Sequence, residues 1–562
     1  MNYDNLTREE LIAVLQRRDI MARYGLRWER DSIPKDWSLN RDFVGFEPNE
    51  TLSVGSGYWT NLVVEGDNFD ALRHLVTTHA GQVKLIYIDP PYNTGRKDFV
   101  YNDNYFDATN RYRHSTWLEF MYQRLSLAKN LLAEDGVIFV SIDDNELFNL
   151  GLLMNQVFGE QNFVANVIWQ KVYAPKNTAV HFSDDHEYVL VYAADRNRWR
   201  PNPLPRSADQ DKAYTNRDED PRGVWMSDNL TARNYYGEGR YPVTCPAGRV
   251  IDGPPAGTYW RVSKARLLEL DSDKRIWWGK DGNNTPRLKR FLSEVKQGVV
   301  PQTLWTYSAV GHTQDAKKQL NDSLPKDRNE DVFSTPKPLQ LMDRILRLAT
   351  KPGDLVVDFF AGSGTLAQAL LALNKEDGGQ RRFVLVSNTE ATMDEPERNL
   401  CRDGCAARLR NAIQGYQNGN GENVEGLGGN FAYVKATRVP MHRLEECLTD
   451  GMVWTFALQA CRHPLTPVAQ GFSVSVFGEH MVAYCANVKA PTLEELEEAI
   501  ARHDGVAVVI TWAPAVVADR LAEHMNRVRL VSAPDDLRRA FKQGNVPDTK
   551  EEQPHQHQWE TV

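Results

Sequence analysis

Apolar residues along the chain fall into two kinds of run. Short continuous runs, VKLIYID (83–89), GVIFVSID (136–143), DLVVDFF (354–360) and RRFVLVS (381–387), have the character of strands buried on both faces of a parallel sheet. Between them lie stretches with apolar residues every three or four positions, the spacing of an amphipathic helix. These are STWLEFMYQRLSLAKNLLAEDG (115–136), NELFNLGLLMNQVFG (145–159), PLQLMDRILRLAT (338–350), TLAQALLALNKE (365–376) and ERNLCRDGCAARLRNAI (397–413). NLVVEGDNFDALRHL (61–75) reads as strand, turn and helix. Strands alternating with helices predict an α/β fold with a parallel sheet. Ahead of it, residues 5–20 read as a short amphipathic helix with Thr7 as N-cap and Glu10 completing a capping box, followed by a Trp-rich, loop-like segment.

The rhythm breaks at about residue 165 and resumes at about 333. The interval is rich in Pro, Gly, Asn, Arg, Trp and Tyr, and EYVLVYAADR (187–196) is its clearest strand. One α/β domain is thus written in two halves around a large insert. A further small α/β unit lies beyond the second half, with VAVVITWA and RVRLVSAP as strands and TLEELEEAIARH as a helix. The predicted boundaries are 1–58 for the N-terminal segment, 59–164 for the first half, 165–330 for the insert, 331–425 for the second half, 426–545 for the C-terminal unit and 546–562 for a polar, disordered tail. The HQH in that tail has metal-binding residue types but reads as part of the tail.

Composition adds exclusions. With 562 residues, 41% hydrophobic and 25% charged, the chain is neither disordered throughout nor a small disulfide scaffold. No apolar run approaches the roughly 18 residues of a membrane span. Six cysteines in this length suit a reducing cytosol. Cys401 and Cys405 lie one helical turn apart with no second pair nearby, so no metal site is expected. The net charge is −9, which leaves room for a local basic face. Such a face is the stretch from Arg261 to Lys296, with Arg261, Lys264, Arg266, Lys274, Arg275, Lys280, Arg287, Lys289 and Arg290 between. A solvated surface is the alternative reading.

Two motifs carry chemistry. DPPYNTG (89–95) follows a buried strand directly. Two prolines stiffen the turn and leave the Pro90 carbonyl outside regular pairing. Asp89 stands at the carboxyl end of the strand, where open α/β sheets bind ligands. The Asp89 carboxylate, the Pro90 carbonyl and the flat Tyr92 ring suit an amino group on a planar ring, with Pro91 fixing the turn. Holding both N–H groups localises the nitrogen lone pair and makes it nucleophilic. DFFAGSGT (358–365) is a strand, a glycine turn and a helix start, and its bare backbone lets a ligand approach closely. It lacks the Lys of a P-loop and the spacing of a dinucleotide fingerprint. A nucleoside cofactor without phosphate, S-adenosylmethionine, fits better. The acid Glu390, after the next strand, would then hold ribose hydroxyls.

With both motifs in hand, the chain resembles amino-group DNA methyltransferases. The order of DPPY before FAGSGT, with an insert between, is similar to the circularly permuted β group. YGLRWER, GDNFDALRHL, YIDPPYNTG, STPKPLQLM, DFFAGSGT and LNKEDGGQRRFVLV resemble Mod subunits of type III restriction–modification systems over about residues 20–415. The resemblance implies a Rossmann-like S-adenosylmethionine-dependent fold, circularly permuted, with the insert as target recognition domain. It implies that Asp89 and the Pro90 carbonyl accept from the target amine and that Tyr92 stacks on a flipped base. Asp358, Phe360, Ala361, Gly362, Gly364 and Thr365 would cradle the cofactor. Asp67 and Lys337 would meet its methionine part, although Asp67 also reads as a helix N-cap and Lys337 as a surface lysine. VSNTE departs from the Leu-Pro-Glu-like ending common in the family, which bears on Glu390. DPPY rather than SPPY points to adenine N6.

The implied substrate is double-stranded DNA, with Arg261, Lys264, Lys280, Arg287, Lys289 and Arg290 on phosphates. The implied assembly is a homodimer in a prokaryotic cytoplasm. No Walker-type motif is present, so any restriction activity in a phage-defence system would reside in a separate Res chain. Two other roles stay open on the sequence: a DNA-specificity scaffold in a multi-protein defence complex, and a methyltransferase acting on RNA or free nucleotides.

Overall fold

The computed structural model describes residues 39–95, 112–206, 211–295, 298–324 and 333–545, together with Thr7, Arg8, Ile12 and Trp28. The capping box at Thr7 and Glu10, most of the 5–20 helix, Lys296 and the HQH tail lie outside the described residues. The chain divides into two compact units, one made of 1–200 and 302–562, the other of 201–301.

The larger unit is built on a ten-stranded sheet. Its strands are β1 (Phe43–Val54), β2 (Leu62–Glu65), β3 (Val83–Ile88), β4 (Leu132–Ile142), β5 (Phe163–Gln170), β6 (His186–Ala193), β7 (Leu304–Trp305), β8 (Leu355–Asp358), β9 (Arg382–Ser387) and β10 (Phe431–Val439). They lie in the order β1-β10-β2-β9-β8-β3-β4-β6-β5-β7. From β10 to β4 all neighbours are parallel, whereas β1 and β6 pair antiparallel to them. β8 leads on to β9 on one side and β3 to β4 on the other. The strand order therefore reverses between β8 and β3, the switch point at which open sheets bind ligands.

Helices α1 (Asn68–His79), α2 (Arg113–Leu131), α3 (Leu147–Phe158), α4 (Leu339–Ala349) and α5 (Thr365–Asp377) follow the predicted patterns. One feature of the core is polar. His74 on α1 is fully buried, stacks on Phe46 with centroids 3.7 Å apart, and bonds the Val44 carbonyl at 2.8 Å and Gln459 at 2.6 Å. It ties α1 to β1 and to the helix Asp450–Ala460.

Three predicted boundaries move. The insert was expected over 165–330, but β5, β6 and β7 belong to the main sheet, because their apolar residues complete its far edge, and the separate unit spans only 201–301. The N-terminal segment contributes β1, whose buried run FVGF was hidden among loop-like residues. The C-terminal unit was expected from 426, but Phe431–Val439 inserts between β1 and β2. Further along the chain, a four-stranded sheet spans 472–532. The last helix among the described residues, Ala533–Gly544, returns to the main core, where Phe541 meets Phe43 at 4.9 Å and Arg73 lies 4.9 Å over the Phe541 ring. Among the described residues no helix is long and apolar enough to cross a membrane.

The smaller unit has its own core, including Trp260, Leu267, Leu270, Ile276 and Trp278. A three-stranded sheet pairs Arg287–Phe291 with Ile276–Trp277 and with Trp225–Asn229. On its central strand Lys289 points inward, 4% exposed, onto the carboxylates of Asp218 and Asp220, with Trp225 beneath it.

Removing one partner of a buried ion pair strands the others, so Lys289→Met should destabilise this unit by about 3 kcal/mol, read by thermal unfolding. The larger unit should be acid-sensitive through His74, whose pKa burial lowers to about 4. Neutral His74 is favoured in the fold, so its contribution is complete above about pH 6.5 and is lost as pH falls from there towards about 4. That loss should amount to about 3 kcal/mol in denaturant titrations across the window.

Candidate active site

β3 ends in the Asp89–Tyr92 turn. Trp117 on α2 donates from its indole to the Pro91 carbonyl at 2.6 Å, which fixes the turn from behind and leaves the Pro90 carbonyl outside that bond. Asn93 takes a left-handed φ of 57°, is buried, and donates to Glu146, which also bonds His114 at 2.7 Å. The aromatic residue and the acid are thereby held side by side. The Tyr92 hydroxyl donates to Asp89 Oδ1 at 2.7 Å and lies 3.1 Å from Glu187 Oε2.

Lys337 completes the group. Its Nζ donates to Asp89 Oδ1 and Oδ2 at 2.8 and 2.7 Å and to the Tyr92 oxygen at 2.9 Å, and lies 3.4 Å from Glu187 Oε2. Lys171, just past β5, donates to Glu187 Oε1 at 3.1 Å. Two carboxylates, two ammonium groups and a phenol thus share one largely buried site. Burial raises the Asp89 pKa against the pull of Lys337. Burial pushes Glu187 the same way, but Lys337 and Lys171 outweigh it and hold that carboxyl below its usual range. Burial lowers Lys337 while Asp89 and Glu187 raise it, and the carboxylates prevail.

β8 ends beside this turn in Asp358 and the glycine loop. The buried Asp358 accepts from the Phe360 backbone at 3.0 Å, and burial raises its pKa well above the ordinary carboxylate value. Asn68 at the start of α1 donates to the Phe359 carbonyl at 3.0 Å and accepts from Arg124 at 2.5 Å. Arg408 braces the loop from below, donating to Thr365 at 2.7 Å and Ser363 at 3.1 Å. Gly362 and Gly364 have φ of 49° and 77°. A Cβ on Gly362 would stand 2.8 Å from the Phe333 ring, and one on Gly364 would stand 2.9 Å from Cys405 Sγ. Only glycine fits either place.

One small cavity is lined by Asp89 from the first motif, by Lys337 just before α4, and by Asp358, Phe360, Ala361, Gly362 and Thr365 from the second motif, with Phe333 also in the lining. Two expected cofactor contacts have partners within the protein. Asp67 caps α1, accepting from Phe69 N at 2.8 Å, and lies 3.5 Å from Arg124. Glu390 is bonded to Arg398 at 3.0 Å and does not line the cavity. Lys337, expected on the methionine part of the cofactor, lines the cavity, and its ammonium rests on Asp89 at the end of β3. Sequence reasoning missed Glu187 and Lys171, which it had assigned to the insert. The signal was an acid opening an otherwise apolar strand, EYVLVYA.

The basic stretch also needs correcting. Lys289 is buried and ion-paired within its unit, so it cannot face phosphates. Arg261 and Arg290 both pair with Asp228 at 3.3 and 2.9 Å, and Arg287 bonds Ser227. Lys264 and Lys280 are exposed.

The chain matches the model of a DNA methylase family over residues 83–386, a span containing both motifs and the insert. It is 38% identical over 356 residues to the type III restriction-modification enzyme StyLTI Mod subunit of Salmonella typhimurium, covering 59% of this chain and 53% of that protein. It is 33% identical to the EcoPI Mod subunit of Escherichia phage P1, covering 59% and 58%. It is 30% identical to the type II methyltransferase M.KpnI of Klebsiella pneumoniae, covering 58% of this chain and 79% of that one. The matched region spans little more than half of each Mod subunit. With an acid–Pro–Pro–Tyr turn and a glycine cradle meeting at one switch point, and with a family model matched across both, the chain belongs to the DNA methylase family.

Proposed function

We propose that the chain transfers a methyl group from S-adenosylmethionine to the N6 amino group of adenine at a specific site in double-stranded DNA, as the modification subunit of a type III restriction–modification system. The observation that carries this reading is the convergence of Asp89 and the 358–365 glycine turn on one cavity. The cradle suits the cofactor. Gly362 and Gly364 hold a turn that only glycine takes, Phe360 and Ala361 offer apolar walls, and the one ammonium in the lining, that of Lys337, is held by Asp89. When bound there, S-adenosylmethionine supplies an electrophilic methyl group.

The chain's own residues prepare the acceptor. Asp89 and the Pro90 carbonyl each take one N–H of the adenine amine, which concentrates the lone pair on nitrogen. Tyr92 presents its ring to the flipped base. Most of the rate comes from holding the amine in line. As the nitrogen gains its methyl it sheds a proton, and Asp89, with its pKa raised by burial, is suited to receive it.

The insert would read base edges with its Arg, Asn and Gln side chains, with Lys264 and Lys280 as phosphate contacts. Restriction would need a separate Res subunit, and a homodimer would let one protomer read while the other modifies.

Expression in a methylation-free host followed by sequencing for modified bases should show N6-methyladenine at one motif. A blank genome from folded, cofactor-binding protein would overturn the reading and favour a specificity scaffold or an RNA substrate. Asp89→Ala should lower methyl transfer by more than about a thousandfold while cofactor binding is kept. Lys280→Glu should weaken DNA binding across all sequences and reduce the log–log salt slope by about one, measured by titration over a salt series.

A further inference from the structure

We infer that Glu187 is a positioning residue for this reaction: it is the alternate acceptor for the two donors that occupy Asp89, and so frees Asp89 to receive the target amine. The inference rests on the proposed methyl transfer and adds to it a residue from outside the two motifs.

The geometry is specific. Asp89 accepts from Lys337 through both oxygens and from the Tyr92 hydroxyl through Oδ1. Three of the roughly four acceptor sites of the carboxylate are then taken, and an incoming N–H meets a single open site, on Oδ2. Each of those donors also faces Glu187, Tyr92 at 3.1 Å and Lys337 at 3.4 Å. The Tyr92 hydroxyl has one hydrogen and can serve only one carboxylate at a time. Lys337 has three, and a small shift of its ammonium towards Glu187 releases an oxygen of Asp89. Glu187 is 7% exposed, so neither donor is lost to water in the exchange.

Without a second carboxylate the exchange would strand a buried ammonium, which is costly. With it, charge in the site stays balanced, because Lys171 already offsets Glu187. The groups facing Glu187 are thus Tyr92 and Asp89 from the β3 turn, Lys171 beyond β5 and Lys337 before α4, with Asp143 and Tyr87 acting at longer range. Burial of β6 on both sides fixes the strand that carries Glu187, because Leu190 and Val191 sit in the core beneath it.

Glu187 also affects the proton equilibria of its neighbours. Its charge raises the pKa of Asp89 and that of Lys337. Removing the charge should move both downward, so both limbs of the pH–rate profile should shift to lower pH.

The test compares the full-length wild type, E187Q and E187D in single-turnover methyl transfer to duplex DNA across pH, with S-adenosylmethionine and DNA affinities measured separately. E187Q should slow transfer about tenfold to a hundredfold with both affinities kept, and should lower both limbs. E187D, which keeps the charge, should leave the limbs in place and recover part of the rate. It carries the test alone if E187Q does not fold. A wild-type rate in E187Q, limbs that stay in place in E187Q, or limbs that move in E187D would each overturn the assignment. Absence of transfer to DNA by the wild type would overturn the proposed function instead, and the inference with it.

Discussion

Parallel pairing of β8 with β3 is the constraint on which the rest of the structure depends. Val356 and Val357 stand against Leu85 and Ile86, and this register sets two turns of different chemistry at the same edge of the sheet. One turn is stiffened by proline and offers acceptors. The other is opened by glycine and offers bare backbone. Neither is a site alone. The flanking strands β9 and β4 lead away on opposite sides, which opens the crevice between the two turns.

Electrostatics in that crevice follow from its burial. An isolated buried carboxylate would take up a proton, and an isolated buried lysine would lose one. Asp89, Glu187, Lys337 and Lys171 avoid both outcomes by offsetting one another within hydrogen-bond distance. The arrangement is expensive in desolvation and contributes little to stability by itself. Its value is chemical: it keeps an acceptor of raised basicity beside an aromatic ring, at a place water reaches poorly. Arg124 and Arg408 do the corresponding work under the glycine loop, where they fix backbone and hydroxyls.

Much of this was legible in the sequence. The two motifs are contiguous, their residue types are chemically explicit, and each sits where a buried strand stops. Continuous apolar runs such as VKLIYI and FVLV marked the parallel strands because both faces are covered. Less legible were the features that depend on distant partners. β10 reads as an ordinary strand, and nothing local says that it slots between β1 and β2. β5 and β6 lie in a polar, Pro-rich neighbourhood, so their membership of the main sheet, and with it Glu187, escaped notice. Lys289 shows the same limit from the other side. A basic residue in a basic stretch looks like surface until Asp218 and Asp220, about seventy positions earlier, are found around it.

The division of the sheet has a consequence for how the protein is made. β2 pairs with β9 and β10, and β3 with β8, so the first half of the sheet has its central edge uncovered until the chain has grown by some three hundred residues. At ordinary synthesis rates that interval is on the order of tens of seconds. During it, a hydrophobic strand edge is presented to solvent, a state prone to misassembly. The 201–301 unit, whose contacts are local, can close in the meantime. The order of motifs along the gene therefore sets a delay between the birth of the acceptor turn and the birth of its cradle, and ties the yield of active protein to whatever shields that edge on the ribosome.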